Sequence, residues 1–175
     1  YGNTNVLDLS QAFAADGSLR TSADTSSLTV VVDSDRLTGL ARQGGVRNPD
    51  NIAWARNGKL YVQEDRSLLG GTIDGRFGGE EASIWEVDPL TGNSQRWAQI
   101  DRGAVPSVYG QTDSLPADIG NWESSGVLEV SHLFGAAPGT VFLSDVQAHS
   151  LTNGTLNGSS YLVEGGQLQL IQVGP

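Results

Sequence analysis

Residues 48–67 read NPDNIAWARNGKLYVQEDRS, and residues 83–100 read SIWEVDPLTGNSQRWAQI. In each stretch, two short apolar and aromatic runs flank a turn sequence, Arg56-Asn57-Gly58 in the first and Pro-Leu-Thr-Gly-Asn in the second. The Asn-Gly pair favours the positive φ angles of a tight hairpin. Together the two stretches predict four short antiparallel strands in one meander, which is the unit from which β-propellers are built.

A second block of the chain is similar to this one. KLYVQED at residues 59–65 aligns with TVFLSDV at 140–146, and IWEVDPLTGNSQRWAQI at 84–100 aligns with YLVEGGQLQLIQV at 161–173. Such an internal repeat favours propeller blades over the alternative all-β fold, a two-sheet sandwich. A propeller needs about four blades to close. We therefore predict an incomplete portion of a larger propeller, completed by blades of the same gene product or of another chain.

The predicted organisation has four parts. Residues 1–47 form the end of a preceding blade and a connector, 48–103 a complete blade with a Gly-rich insertion, 104–121 a long loop, and 122–175 a second blade. The run LTVVV at Leu28–Val32 predicts a strand buried on both faces. Gly165-Gly166 predicts the turn of a final hairpin. The four tryptophans are expected to pack between blades.

Composition excludes several classes of function. The 175 residues contain 20 acidic and 10 basic side chains, for a net charge of −10, which disfavours nucleic acid and anionic lipid as partners. There is no cysteine, so the chain contains no disulfide, thiolate metal site or cysteine nucleophile. No apolar run approaches the roughly 20 residues of a membrane span. Divalent cations are natural partners for such an acidic chain.

Several oxygen-bearing side chains fall at or beside predicted strand ends, where propeller blades face one mouth of the central channel. Carboxylates that converge there repel one another unless a cation is bound. Oxygen ligands suit Ca²⁺, or Mg²⁺ with retained waters, and a histidine adds a nitrogen ligand. For each acid the alternative is a solvated turn residue or an ion-pair partner. The candidate metal ligands are Glu64, Asp65, Glu123, Asp145, Asp50, Asn51, Glu80, Glu81 and His149.

Two arginines in or beside the Gly-rich insertion are candidate substrate-binding residues. Arg66 and Arg76 have the guanidinium geometry that clamps a phosphate with two hydrogen bonds. The alternative is an ion pair with one of the many acids nearby. No residue is singled out as a catalytic nucleophile.

The ordered set NPDNIAWARNGKLYVQEDRS, GGEEASIWEVDPLTG, NWESSGVLEVSHLFG and FLSDVQAHS, which spans Asn48 to Ser150, resembles the C-terminal half of PhoX-type alkaline phosphatases and their phytase-like secreted relatives. The resemblance implies a secreted β-propeller, periplasmic or extracellular, with calcium in its central opening and iron in the catalytic members. It also implies hydrolysis of small phosphate esters. The catalytic members use a cysteine iron ligand in the half that precedes the matched region, and this chain has none.

Two classes of function therefore stay open. One is a metal-dependent phosphoesterase in which the acids hold the metal ions that polarise a phosphoryl oxygen. The other is a non-catalytic, calcium-stabilised extracellular structural or adhesive propeller, in which the same acids only fasten blades together.

Overall fold

The computed structural model describes residues 2–20, 26–36, 45–65, 80–104, 111–159 and 164–174. Within these ranges the protein is all-β, with antiparallel sheets, short 3-10 turns and no α-helix. No helix in these ranges is long and apolar enough to cross a membrane. The strands are β1 Asn3–Asp8, β2 Ser27–Asp33, β3 Pro49–Trp54, β4 Leu60–Glu64, β5 Ser83–Val87, β6 Ser94–Gln99, β7 Thr112–Asp113, β8 Trp122–Glu123, β9 Val127–Glu129, β10 Val141–Thr152 and β11 Glu164–Gln172.

The strands form three sheets that follow one another along the chain. The first sheet pairs β1 with β2, and the second sheet has the order β3-β4-β5-β6. In the third sheet β10 pairs with β11 on one side and with β7, β8 and β9 in turn on the other. The described residues show these sheets without a closed propeller ring.

The second sheet is the predicted four-stranded antiparallel meander, which the structure confirms. Its first turn places Gly58 at φ +82° and its second places Gly92 at φ +73°. Both values lie in the left-handed region that glycine adopts without a Cβ clash. Local turn chemistry therefore accounts for the two hairpins of this sheet, β3-β4 and β5-β6.

Strand β4 is buried from end to end because both faces of the second sheet are covered. Leu60 and Val62 belong to an apolar cluster against which Val32 of the first sheet packs. On the opposite face, the Tyr61 ring lies 4.6 Å from the Phe142 ring of the third sheet, measured between centroids. The second sheet is therefore the middle layer of a stack of three.

The prediction that Leu28–Val32 is buried on both faces is wrong. Strand β2 has an exposed first half, and the Leu28 side chain is 69% exposed. The reason is that, among the described residues, the two-stranded sheet of β1 and β2 has a neighbour on one face only. Trp54 also departs from expectation, since it lies on edge strand β3 and is 60% exposed, whereas Trp85 and Trp122 are buried.

Gly165 and Gly166 lie inside β11 rather than at a turn, so the predicted hairpin across them is wrong. They pair with Ala148 and Gln147 of β10. A Cβ at Gly166 would lie 2.9 Å from the Val146 carbonyl oxygen, and one at Gly165 would overlap the side chain of Leu151. The glycines permit the two strands to approach closely. A Gly-Gly pair in the sequence can therefore indicate either a turn or a close contact between strands.

Candidate functional site

Glu64, a predicted metal ligand, is fully buried at the end of β4. Its Oε1 accepts hydrogen bonds from the Arg47 backbone N–H at 2.7 Å, from Arg47 Nε at 3.1 Å and from Trp85 Nε1 at 2.8 Å. Its Oε2 accepts from Arg47 Nη2 at 2.7 Å and from the Ser83 N–H at 2.8 Å. A carboxylate offers about four acceptor directions. These donors use all of them, so Glu64 is an ion-pair anchor in this structure.

Glu81 is held in the same way beside the third sheet. Its Oε1 accepts from Arg102 Nη1 at 2.7 Å, and its Oε2 accepts from the N–H groups of Gly120 and Trp122 at 3.0 and 3.1 Å. Arg102 also donates from Nε to Asp113 at 2.7 Å and lies over the Trp122 ring at 5.1 Å from its centroid. This arginine therefore joins the loop after β6 to β7 and β8.

The pKa shifts of Arg102 and Asp113 agree with these hydrogen bonds. Burial disfavours the charged form of Arg102, but the hydrogen bonds with Asp113 and Glu81 outweigh burial and raise its pKa. The hydrogen bond from Arg102 lowers the pKa of Asp113 despite the burial of that carboxyl group, and a hydrogen bond from Ser150 lowers it further. Both partners are thus held in their charged forms by the fold.

Glu123 and His149 form a third pair, with 2.7 Å between His149 Nε2 and Glu123 Oε1. Glu123 lies on β8 opposite Gln147 of β10. Asp145 and His149 are two residues before and after Gln147, so their side chains lie on the same face of the sheet as Gln147 and Glu123. Glu64 instead contacts Trp85 in the cluster beneath the first sheet. The predicted convergence of Glu64 with Glu123 and Asp145 is therefore not what this structure shows, because the sheets place these acids on different faces.

The other predicted ligands have local partners. Asp65 Oδ2 accepts from Asn48 Nδ2 at 3.2 Å, and Asp145 Oδ1 accepts from the Ser125 N–H at 3.2 Å. Asp50 Oδ2 accepts from Asn51 Nδ2 at 2.7 Å, which pairs two of the candidates with each other. Glu80 forms a half-exposed ion pair with Arg96 at 2.6 Å.

The donor set therefore does not fit Ca²⁺ or iron in the described part of the chain, where no three histidine or acidic side chains form a group able to hold a metal ion. Most of the oxygens that a cation would use already accept hydrogen bonds from N–H groups. The candidate phosphate clamps Arg66 and Arg76 lie outside the described residues.

A groove of about 590 Å³ lies between the second and third sheets. Its apolar wall includes Ile84 of β5, Ala98 of β6 and Ile171 of β11, which also belong to or pack against the core cluster between these sheets. The amides of Gln167 and Gln169 on β11 face the same space. The groove is thus an open continuation of the core that joins the two sheets.

The groove has one exposed acid, Asp101, at its rim, whereas the side chain of Asp145 lies opposite Leu168 on the other face of β10. The charged residues among those that line it in the described ranges are Asp101 and Asp145, and no lysine or arginine is present among them. An anionic phosphate ester would gain no cationic contact there. A neutral or basic ligand with small apolar groups matches this lining better.

Sequence reasoning missed both the groove and the two arginines that neutralise buried acids. Arg47 and Arg102 stand next to predicted strand or loop boundaries, where a basic residue usually has only a surface role. The composition gave one indication of these pairs. With 20 acidic and 10 basic side chains, any acid that is buried must be paired with one of the few lysines or arginines. The sequence gives no indication of which arginine is used.

No protein-family model, curated protein or solved structure matches this chain. The resemblance to PhoX-type phosphatases therefore stays a prediction from the quoted motifs.

Proposed function

We propose that the chain is a non-catalytic section of a β-propeller, a structural and assembly module whose sheets stack through apolar faces and buried ion pairs. One observation carries this proposal: the second sheet is covered on both faces by the sheets that precede and follow it in the chain. A two-sheet sandwich has no such middle layer. Consecutive sheets stacked face to face are the arrangement of neighbouring propeller blades.

The outer faces of the stack also support the proposal. On the third sheet, Leu143 pairs with Leu128 of β9 and Leu170 of β11, so the three side chains share one face, and Leu168 lies two residues along it. Leu168 is 74% exposed. On the first sheet, Leu7 pairs with Leu28, and both are exposed. Contiguous exposed apolar surface of this kind marks an interaction site.

The buried carboxylates of Glu64 and Glu81 also support a structural role for the chain. Glu64 accepts N–H groups from residues 17 to 21 positions away in the chain, and Glu81 accepts N–H groups from residues 21 to 41 positions away. Both carboxylates therefore fix the connections between strands. Calcium binding, secretion and phosphoesterase activity are implied by the family resemblance alone. The paired carboxylates favour the non-catalytic class of the two.

The first test is sedimentation of the 175-residue chain over a concentration series. We expect self-association through the leucine faces, and we expect Leu168→Lys with Leu170→Lys to shift the distribution toward monomer. Leu90→Lys is the matched control, because Leu90 is 94% exposed in the β5–β6 turn, away from that face. A monomeric chain that neither substitution affects would refute the assembly role.

The second test separates the two function classes. The purified chain is analysed for bound metal and assayed with nitrophenyl phosphate, with and without added Ca²⁺ and Fe³⁺. We expect no turnover above that of a Glu64→Gln variant, and no change in melting temperature on chelation. Metal-dependent turnover that Glu64→Gln abolishes in a still-folded protein would replace our proposal with the phosphoesterase.

A further inference from the structure

Asparagine is followed by glycine at three places in the chain, Asn57-Gly58, Asn153-Gly154 and Asn157-Gly158. In such a pair the backbone nitrogen of the glycine can attack the side-chain amide carbon of the asparagine, because glycine has no Cβ to obstruct the approach. The rate depends on how freely the two groups reach the reacting geometry. The pairs are alike in sequence, so the structure decides which of them reacts.

Hydrogen bonds hold the reacting groups of Asn57-Gly58 in place. Asn57 Oδ1 accepts from the Lys59 N–H at 3.1 Å, and Asn57 Nδ2 donates to the Tyr61 hydroxyl group at 3.2 Å. The Gly58 N–H donates to the Ala55 carbonyl oxygen at 3.0 Å. These contacts must break before the Gly58 nitrogen reaches the side-chain amide carbon.

The pair Asn157-Gly158 is held much less. It forms the tip of a turn closed by two hydrogen bonds between Leu156 and Ser159, at 2.9 and 3.0 Å. Asn157 has a φ of +50° and Gly158 a φ of +77°, and residues 153–158 are all exposed. In the described part of the chain, neither the Asn157 side chain nor the Gly158 N–H makes a hydrogen bond. An exposed turn with so few contacts opens locally at a low cost in free energy.

We propose that Asn157 is a site of spontaneous deamidation, which converts this residue to aspartate or isoaspartate in the folded protein. The Gly158 nitrogen bonds to Asn157 Cγ as the Cγ–Nδ2 bond breaks. The proton that Gly158 loses is transferred through water to Nδ2, which leaves as ammonia. Water then opens the cyclic succinimide at either carbonyl group. Opening at Cγ restores the peptide bond and gives aspartate, whereas opening at the main-chain carbonyl gives isoaspartate.

The reaction changes the connection between β10, which ends at Thr152, and β11, which begins at Glu164. Either product adds a negative charge to a chain whose net charge is already −10. Isoaspartate also places the Cβ of residue 157 in the main chain, which alters the turn between Leu156 and Ser159. This modification site is separate from the assembly faces and the buried ion pairs, so it does not rest on the proposed function.

The experiment incubates the whole folded chain at neutral pH and follows the Asn-Gly pairs by peptide mapping with mass spectrometry. Asn57 is the matched control within the same molecule. We expect Asn157 to deamidate at least about tenfold faster than Asn57, since the hydrogen bonds of Asn57 must open first. In concentrated urea, which unfolds the chain, most of this difference should disappear. Similar rates at the two residues in the folded chain would overturn the proposal.

Two variants test the mechanism. Gly158→Ala should slow the reaction at Asn157, because the added Cβ obstructs the attack, and should leave the rate at Asn57 unchanged. Tyr61→Phe removes the acceptor of Asn57 Nδ2 and should raise the rate at Asn57 alone.

The products give an independent check of the cyclic route. We expect both aspartate and isoaspartate at residue 157, because water can open either carbonyl group of the succinimide. Aspartate alone would indicate direct hydrolysis of the side chain and would refute the proposed route. Deamidation at Asn157 that Gly158→Ala does not slow would refute it as well.

Discussion

The buried pair of Arg47 and Glu64 gives the sharpest quantitative prediction, through the substitution Glu64→Gln. The two side chains are 2% and 0% exposed. The variant keeps the shape of residue 64 but removes its charge, and it replaces an acceptor oxygen with an amide that cannot accept the N–H groups now pointing at it. The buried guanidinium of Arg47 loses the carboxylate charge of Glu64.

Breaking a buried ion pair from one side costs about 3–5 kcal/mol. A typical domain has a free energy of unfolding of about 5–15 kcal/mol, so Glu64→Gln removes a large fraction of it. The measurement is urea unfolding, followed by the fluorescence of the four tryptophans, of which Trp85 donates from Nε1 to Glu64. We expect a much lower midpoint with an unchanged slope.

The control is Glu80→Gln, the same chemical change in an ion pair of similar length. Glu80 and Arg96 are 2.6 Å apart, but their side chains are 37% and 28% exposed. Solvent screening limits such a pair to about 0–1 kcal/mol. Adding Arg47→Met to Glu64→Gln should cost less than the sum of the two single changes, because it also removes the stranded charge. A loss of stability in Glu64→Gln no larger than that in Glu80→Gln would refute the reasoning.

Three further predictions concern the stack and its pH range. Gly92→Ala should lower the melting temperature more than Gly58→Ala does. Both glycines have positive φ, but only a Cβ at residue 92 would contact β2, at 2.5 Å from the carbonyl oxygen of Val31. Equal losses of melting temperature would contradict the packing of the first sheet on the second. Burial raises the pKa of Tyr61 from 10.0 to about 12. The contribution of the protonated Tyr61 to the free energy of unfolding is therefore complete below pH 10 and is lost as the pH rises through 12. In thermal melts, Tyr61→Phe should have a smaller decrease in melting temperature over this alkaline range than the wild type. The hydrogen bond from Arg102 lowers the pKa of Asp113, so its contribution is present above about pH 4 and is lost at lower pH. The difference in melting temperature between the wild type and Asp113→Asn should therefore be largest near neutral pH and shrink in acid, and a constant difference would exclude this linkage.

Much of the local structure could be predicted from the sequence, because turns and strand periodicity depend on near neighbours. The Asn57-Gly58 turn and the alternation around it place the second sheet correctly. The same reasoning fails at Gly165-Gly166, where glycine serves close strand contact instead of a turn. A local signal with two physical causes cannot distinguish between them.

The candidate site depended on contacts that sequence does not encode locally. The sequence determined an acidic, cysteine-free, all-β chain with acids at strand ends, since these properties follow from residue type and spacing. The tertiary structure alone decided that Arg47 meets Glu64, that Arg102 meets Glu81, and that a groove opens between the second and third sheets. Which face of a sheet is covered, and by which partner, is fixed by the packing of distant segments, and burial then turns a potential metal ligand into half of an ion pair.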